Sequence, residues 1–300
     1  MFTNVVLEGD AIRLGKYLRV SLQRTLRVSD LSPEATSSLP VSLGCLPLAW
    51  AGDYPEALTA WHGDLFVPLY GREAIWLGFS APHWHPCALR VGVGGFDAVS
   101  GVALTRGLMA EPQNYLVCPP QPWLDGVNAG HGQVRQFVAL PLGSGLTIEG
   151  QLSGREHIGA IQLVLHEATP GRFPDQEPSV DDRPQPLSLP QAGRALGLAP
   201  VGQIRQRIYR DPYGLKTWQA EPSASVTIHL LDSKAYEFVT GRPAPPPPID
   251  EQTYRDRGLP WLDLDDEALP ELPPATSLRD LKGLPAETLP EEAPPVDRSS

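Results

Sequence analysis

Residues 114–151, NYLVCPPQPWLDGVNAGHGQVRQFVALPLGSGLTIEGQ, decide the fold class. The run 115–118 reads as a strand that stops at Pro119-Pro120, because proline cannot donate to a sheet ladder. Val134 to Leu140 is a second strand. Between them, Pro-Trp-Leu-Asp-Gly (122–126) reads as a turn with Asp125-Gly126 at its corner. Gly143-Ser144-Gly145 supplies another turn, since glycine takes positive φ cheaply. After it, Leu146, Ile148, Gly150 and Leu152 fall on one face and Thr147, Glu149 and Gln151 on the other, so a further strand is expected.

Outward from this stretch the pattern repeats. Residues 17–28 alternate, with Leu18, Val20, Leu22, Leu26 and Val28 on one face and Arg24 the single break. Gly9-Asp10 is a hairpin turn ahead of them. Residues 65–79 are apolar and fit a strand or a short helix. Residues 88–96, a run near 98–104, and residues 159–166, 203–209 and 225–231 read as strands. Residues 169–200 read as a long proline-rich connection, a place to divide the body into two subdomains. Asp232 or Ser233 can cap a short helix closed by Gly241, and Asp250 a second one ended by Gly258. Pro243 to Pro248 is a polyproline II spacer. Strands do not alternate with long helices, so a doubly wound parallel sheet is disfavoured. The expected fold is mainly β: an antiparallel β-sandwich or barrel-like body over 1–264 with a few short helices. An acidic, proline-rich disordered tail is expected over 265–300. Within it, residues 278–285 (LRDLKGLP) read as a small docking segment.

The net charge of −11 sets any generic nucleic-acid binding against long-range repulsion. The best basic run, residues 203–210, holds three arginines, too few for a stripe. Residues 265–300 carry nine acids against three bases, so this end supplies −6 of the total. Three separate cysteines, Cys45, Cys87 and Cys118, suggest neither a disulfide framework nor a zinc knuckle. No apolar run approaches the ~18–20 residues that span a bilayer, and no signal peptide is visible. A soluble, cytoplasmic protein without a cofactor is expected, with leaderless export as the alternative.

Three groups of residues carry candidate chemistry. Imidazole and thiolate are good metal ligands, and His83, His85 and Cys87 would point one way on a strand. Pro82 and Pro86 argue instead for a surface or interface loop. Asp125, His131, Arg135 and Glu149 could do acid–base work of a hydrolase kind on a polar or carbohydrate substrate, provided they converge. The competing reading makes Asp125 a turn corner and Trp123 a packed anchor. Trp123, Asp125 and Trp261 are the candidate binding residues. The chain has no GxxxxGK[ST], HExxH or GxSxG motif.

Several short motifs span residues 17–264: RTLRV (24–28), REAIWL (72–77), PQPWLDG (120–126), RQFVALPLG (135–143), DPYG (211–214) and GLPW (258–261). On these the chain resembles a widespread uncharacterised microbial protein family. The resemblance implies one inherited body and carries over no catalytic residue, cofactor or substrate. With no convergent catalytic motif, the expected function is a non-catalytic binding or assembly module that meets a protein partner or itself. A hydrolase on Asp125, His131, Arg135 and Glu149, and a metal protein on His83, His85 and Cys87, are the alternatives.

Overall fold

The computed structural model describes residues 4–28, 39–176, 193–262 and 269–283. The first strands are β1 (Val5–Glu8), β2 (Ala11–Leu14), β3 (Leu18–Thr25), β4 (Leu39–Pro40), β5 (Ala49–Trp50) and β6 (Leu65–Leu69). Next come β7 (Ala74–Ser80), β8 (Cys87–Val93), β9 (Phe96–Asp97), β10 (Leu116–Cys118), β11 (Trp123–Leu124) and β12 (Gly126–Gly130). The last are β13 (Gln133–Pro141), β14 (Ala160–His166), β15 (Gly193–Arg205), β16 (Ala224–Asp232) and β17 (Trp261–Leu262). The α-helices are α1 (Ile148–Ser153), α2 (Ser233–Thr240), α3 (Glu251–Asp256) and α4 (Thr276–Arg279). Among the described residues, no helix is long and apolar enough to cross a membrane.

The main sheet runs β1-β2-β3-β7-β13-β15-β16-β14-β8-β10, and every neighbouring pair along this path is antiparallel. β6 joins it through a parallel pairing with β16. The sheet curls so that its first hairpin meets the β14–β16 end. Asn4 Nδ2 donates to Ser223 O (3.3 Å) and Lys16 N to Glu167 Oε1 (2.8 Å). The result is a barrel-like body. Its core takes Leu22, Ile75 and Phe137 from one half and Leu89, Leu163 and Ile228 from the other. Strand β3 shows how the pattern produces this: Leu18, Val20 and Leu22 are buried while Arg19 is exposed.

Arg24, the break in that alternation, is buried and paired with Glu73. Glu73 also accepts from Tyr70 N (2.8 Å). The buried Gln136 accepts from Val28 N (3.0 Å) and donates to Leu26 O (2.9 Å). Motifs 24–28, 72–77 and 135–143 thus meet as one polar staple inside the sheet. Burying these groups is tolerable because they satisfy one another.

Four expectations need correction. Residues 146–152 are not a strand. Thr147 accepts from Gly150 N, Gly154 takes a left-handed φ of 71°, and the segment between them winds into α1. The run 98–104 is not a strand either, because Asp97 Oδ1 accepts from Val99 N (3.1 Å) and Ser100 N (2.9 Å) and bends the chain. The connection 169–200 is shorter than expected: β15 starts at Gly193, and residues 177–192 lie outside the described residues. The arginine run 203–210 is not a continuous strand, since β15 ends at Arg205. Arg207 and Arg210 face Glu271 (3.8 Å) and Glu111 (3.4 Å).

Of the tail, residues 269–283 are described, and they lie on the body. Leu272, Leu278 and Leu281 are buried in the main core. Leu272 N donates to Ile208 O and Arg210 N to Pro270 O, both at 2.8 Å. Asn128 Nδ2 donates to Pro273 O (3.1 Å), and Gln151 exchanges two hydrogen bonds with Lys282. The docking read from residues 278–285 holds for Leu278 and Leu281. Residues 263–268 and 284–300 lie outside the described residues. The polyproline spacer is also held down: Pro245 O accepts from Tyr70 Oη and Pro246 O from Arg24 Nη2.

Candidate functional site

Asp125 and Glu149 are tied up in the framework, Trp123 packs on the core, and His131 and Trp261 lie at the surface. Asp125 is completely buried (0% exposed), and its Oδ2 accepts from Trp123 Nε1 at 2.6 Å. Its backbone N donates to Gln206 Oε1 (2.9 Å), and Gln206 Nε2 donates to Trp123 O (3.1 Å). Trp123 packs half-buried on the core. Gly126 leaves no room for a side chain, since a Cβ there would meet Arg135 O at 1.8 Å. His131 sits exposed at the β12–β13 turn with φ +56°. Arg135 donates to Arg279 O (3.4 Å). Glu149 lies on α1, buried, and accepts from the amides of His157 and Ile158 (both 3.0 Å) and Gly159 (3.2 Å). The four side chains therefore belong to different places: the join of β11 and β12, a hairpin tip, the C-terminal segment and the loop after α1. Trp261 lies half-exposed against Tyr254, with ring centroids 5.3 Å apart.

The chain's path at His83, His85 and Cys87 differs from the single strand on which the three would point one way. Pro82 and Pro86 put both histidines in a turn, and only Cys87 enters a strand. Cys87 joins the core, and its Sγ donates to Cys118 O (3.5 Å). Burial pushes both the Cys87 and the Cys118 thiols above their ordinary range. Among the described residues, no three His, Cys, Asp or Glu side chains group as a metal site.

The histidine turn belongs to a different feature. Four connections meet at one end of the sheet: 15–17 (β2–β3), 81–86 (β7–β8), 167–176 after β14, and 211–218 before β16. They bring rings into a continuous ridge. Tyr17 contacts Trp84 (5.1 Å) and His85 (4.7 Å); His85 contacts Phe173 (6.2 Å); Phe173 contacts Tyr213 (5.2 Å). Buried Trp218 lies beneath, 6.4 Å from Phe173 and 5.9 Å from Tyr213. Tyr213 is 44% and Leu215 38% exposed.

Hydrogen bonds fix this ridge in place. Asp211 Oδ2 accepts from Tyr115 Oη (2.6 Å) and Trp218 Nε1 (2.9 Å). Burial and this bond to Asp211 push the Tyr115 phenol above its ordinary range, so it stays protonated and donating. Tyr17 Oη donates to Asp175 O (2.6 Å), and the His85 imidazole Nδ1 lies 2.7 Å from Pro174 O. Lys16 Nζ lies 4.8 Å over the Tyr17 ring. Rings held this way lose little side-chain entropy when a partner covers them.

Comparison with protein-family models, with curated proteins and with solved structures found no match. The site therefore rests on geometry. Reasoning from the sequence missed Tyr17, Phe173, Tyr213 and Trp218. A signal was present: Trp84, Phe173 and Tyr213 each lie within two residues of a proline, in Pro-His-Trp, Phe-Pro and Pro-Tyr-Gly. Proline beside a ring favours a connection over a strand, although Trp123 after Pro122 and Phe66 near Pro68 still enter β11 and β6.

Proposed function

We propose that the protein is a non-catalytic binding or assembly module whose contact surface is the aromatic ridge at 17, 84–85, 173 and 213–215. The observation that carries this reading is the ridge itself: contiguous rings, partly exposed, on connections pinned by side-chain hydrogen bonds. Contiguity matters, because single exposed apolar residues are ordinary on any surface. Phe238 is 88% exposed, yet none of the ring contacts found includes it.

Protein is the favoured occupant, either a second copy or a partner. Ridge rings meet edge to face, at 74° for Tyr17–Trp84 and 80° for Phe173–Tyr213. Faces turned against neighbouring edges give a stepped apolar surface rather than the flat platform that sugar rings stack on. Such surfaces suit protein contacts, where Trp and Tyr dominate the binding energy. Exposed Lys16, Arg172 and Lys216 supply a polar rim.

Hydrogen exchange compared between dilute and concentrated full-length protein, and with any partner retained from lysate, tests this. The reading expects slowed exchange at 82–85, 169–176 and 211–218. Protection confined to other segments, or none in either comparison, would contradict it.

A further inference from the structure

A second surface, separate from the ridge, collects polar groups that the fold does not use. On the outer face of β14 and β16 lies a cleft of about 300 Å³. That is the lower end of the ~300–1,000 Å³ range of small-molecule sites, so a ligand the size of one sugar is the relevant scale. Its floor comes from strand alternation. Ser225 and Thr227 on β16 share a face, and Gln162 on β14 pairs opposite Thr227. Arg106 adjoins the floor at its His166 end, with His166 Nε2 3.1 Å from Arg106 O, and Asp64 adjoins it at the His229 end.

What distinguishes this lining is its unspent donors. Among the described residues, the hydroxyls of Ser225 and Thr227 and the guanidinium of Arg106 have no side-chain hydrogen-bond or ion-pair partner. Gln162 accepts from Gly95 N through Oε1 (3.2 Å), which orients its amide and leaves Nε2 as a donor. Asp64 is the contrasting group. Its Oδ2 lies 3.0 Å from His229 Nε2, and the buried His229 ring stacks on Trp61 at 4.2 Å and 4°. The carboxylate is therefore fixed in orientation before any ligand arrives.

A row of donors ending in a guanidinium matches an oxyanion and a series of hydroxyl acceptors. A fixed carboxylate at the far end matches a hydroxyl donor. We propose that this cleft binds a small polyol bearing one anionic group, with the anion at Arg106 and a hydroxyl at Asp64. Carboxylate and phosphate share the required chemistry.

Calorimetric titration of the full-length protein with gluconate, glucose 6-phosphate and glucose tests this and separates the two anions. At least one anionic polyol is expected to bind about tenfold or more tightly than glucose. Arg106→Ala, at an exposed position, should keep the melting temperature and remove that preference. Thr227→Val should weaken binding of every ligand that binds. Equal affinity for glucose and both anions would overturn the proposal. So would a preference that survives Arg106→Ala, or no binding of any of the three at millimolar concentration. The cleft shares no residue with the ridge, so either reading can fail without the other.

Discussion

At the residue scale, polar side chains here mostly hold the backbone in shape. Asp125 looked in sequence like either a turn corner or an acid; the chain makes no turn there, and Asp125 is instead the buried join between β11 and β12, bonded to Trp123 Nε1 and Gln206. Asp125→Asn should lower stability by about 1–3 kcal/mol, the cost of a compromised buried hydrogen-bonded group, measured by urea unfolding. Unchanged stability would count against the structural role. Glu156 escaped notice because its partners are backbone groups about ten residues earlier, which no short motif displays. It accepts from Gly145 N (3.0 Å), Thr147 N (3.0 Å), Gly143 N and Thr147 Oγ1, and so holds the Gly-Ser-Gly turn closed. Burial raises its carboxyl pKa, but the hydrogen bonds from Thr147, Gly145 and Gly143 lower it further, and it ends below the ordinary 4.5. A depressed carboxyl stabilises the fold above its unfolded value, and that stability is lost as pH falls through the folded value. Glu156→Gln should therefore flatten the loss of stability below pH 4.5. An acid limb identical to wild type would contradict this.

At the element scale, strands were legible wherever alternation ran long. Seven or more residues in β3, β13 and β16 carry a clear buried face. Residues 146–152 were misread because six or seven residues cannot separate period 2 from 3.6, and the Thr147 cap decides the outcome. In the C-terminal segment, composition concealed that docking extends beyond residues 278–285, back to residue 269. Acids and prolines suggest disorder, yet three leucines spaced over ten residues suffice to anchor it. The body is shaped to receive them. Gly101 at φ +70° leaves space that a Cβ would contest with Ser277 Oγ at 2.1 Å, and Gly130 at φ +77° does so for Pro274. Burying a leucine contributes about 1.5–3 kcal/mol. A chain ending at Leu262 should lose several kcal/mol and melt at a lower temperature. Gly101→Val should also lower stability, through the strain of a β-branched residue at positive φ together with the clash at Ser277. Melting temperatures equal to wild type would show the segment to be an ornament of the surface.

At the scale of the whole molecule, the β class followed from turn chemistry and period, but the order of strands did not. β3 pairs β7 across some fifty residues, and β13 and β16 both pair β15. Nothing local encodes such partners; they are set by which buried faces close one core. The ridge was hidden for the same reason, since its rings come from four connections spread over two hundred residues and only the curl of the sheet gathers them. The most direct test of the ridge as a contact surface is light scattering on size-exclusion chromatography, run on wild type and on the double variant Trp84→Ala/Tyr213→Ala. Both positions are at least partly exposed, so the variant should keep the wild-type fold by circular dichroism. A wild-type assembly, alone or with its retained partner, that falls to the mass of a single chain in the variant is the expected result. A wild type that stays monomeric and retains nothing, or an assembly that survives both substitutions, would contradict it.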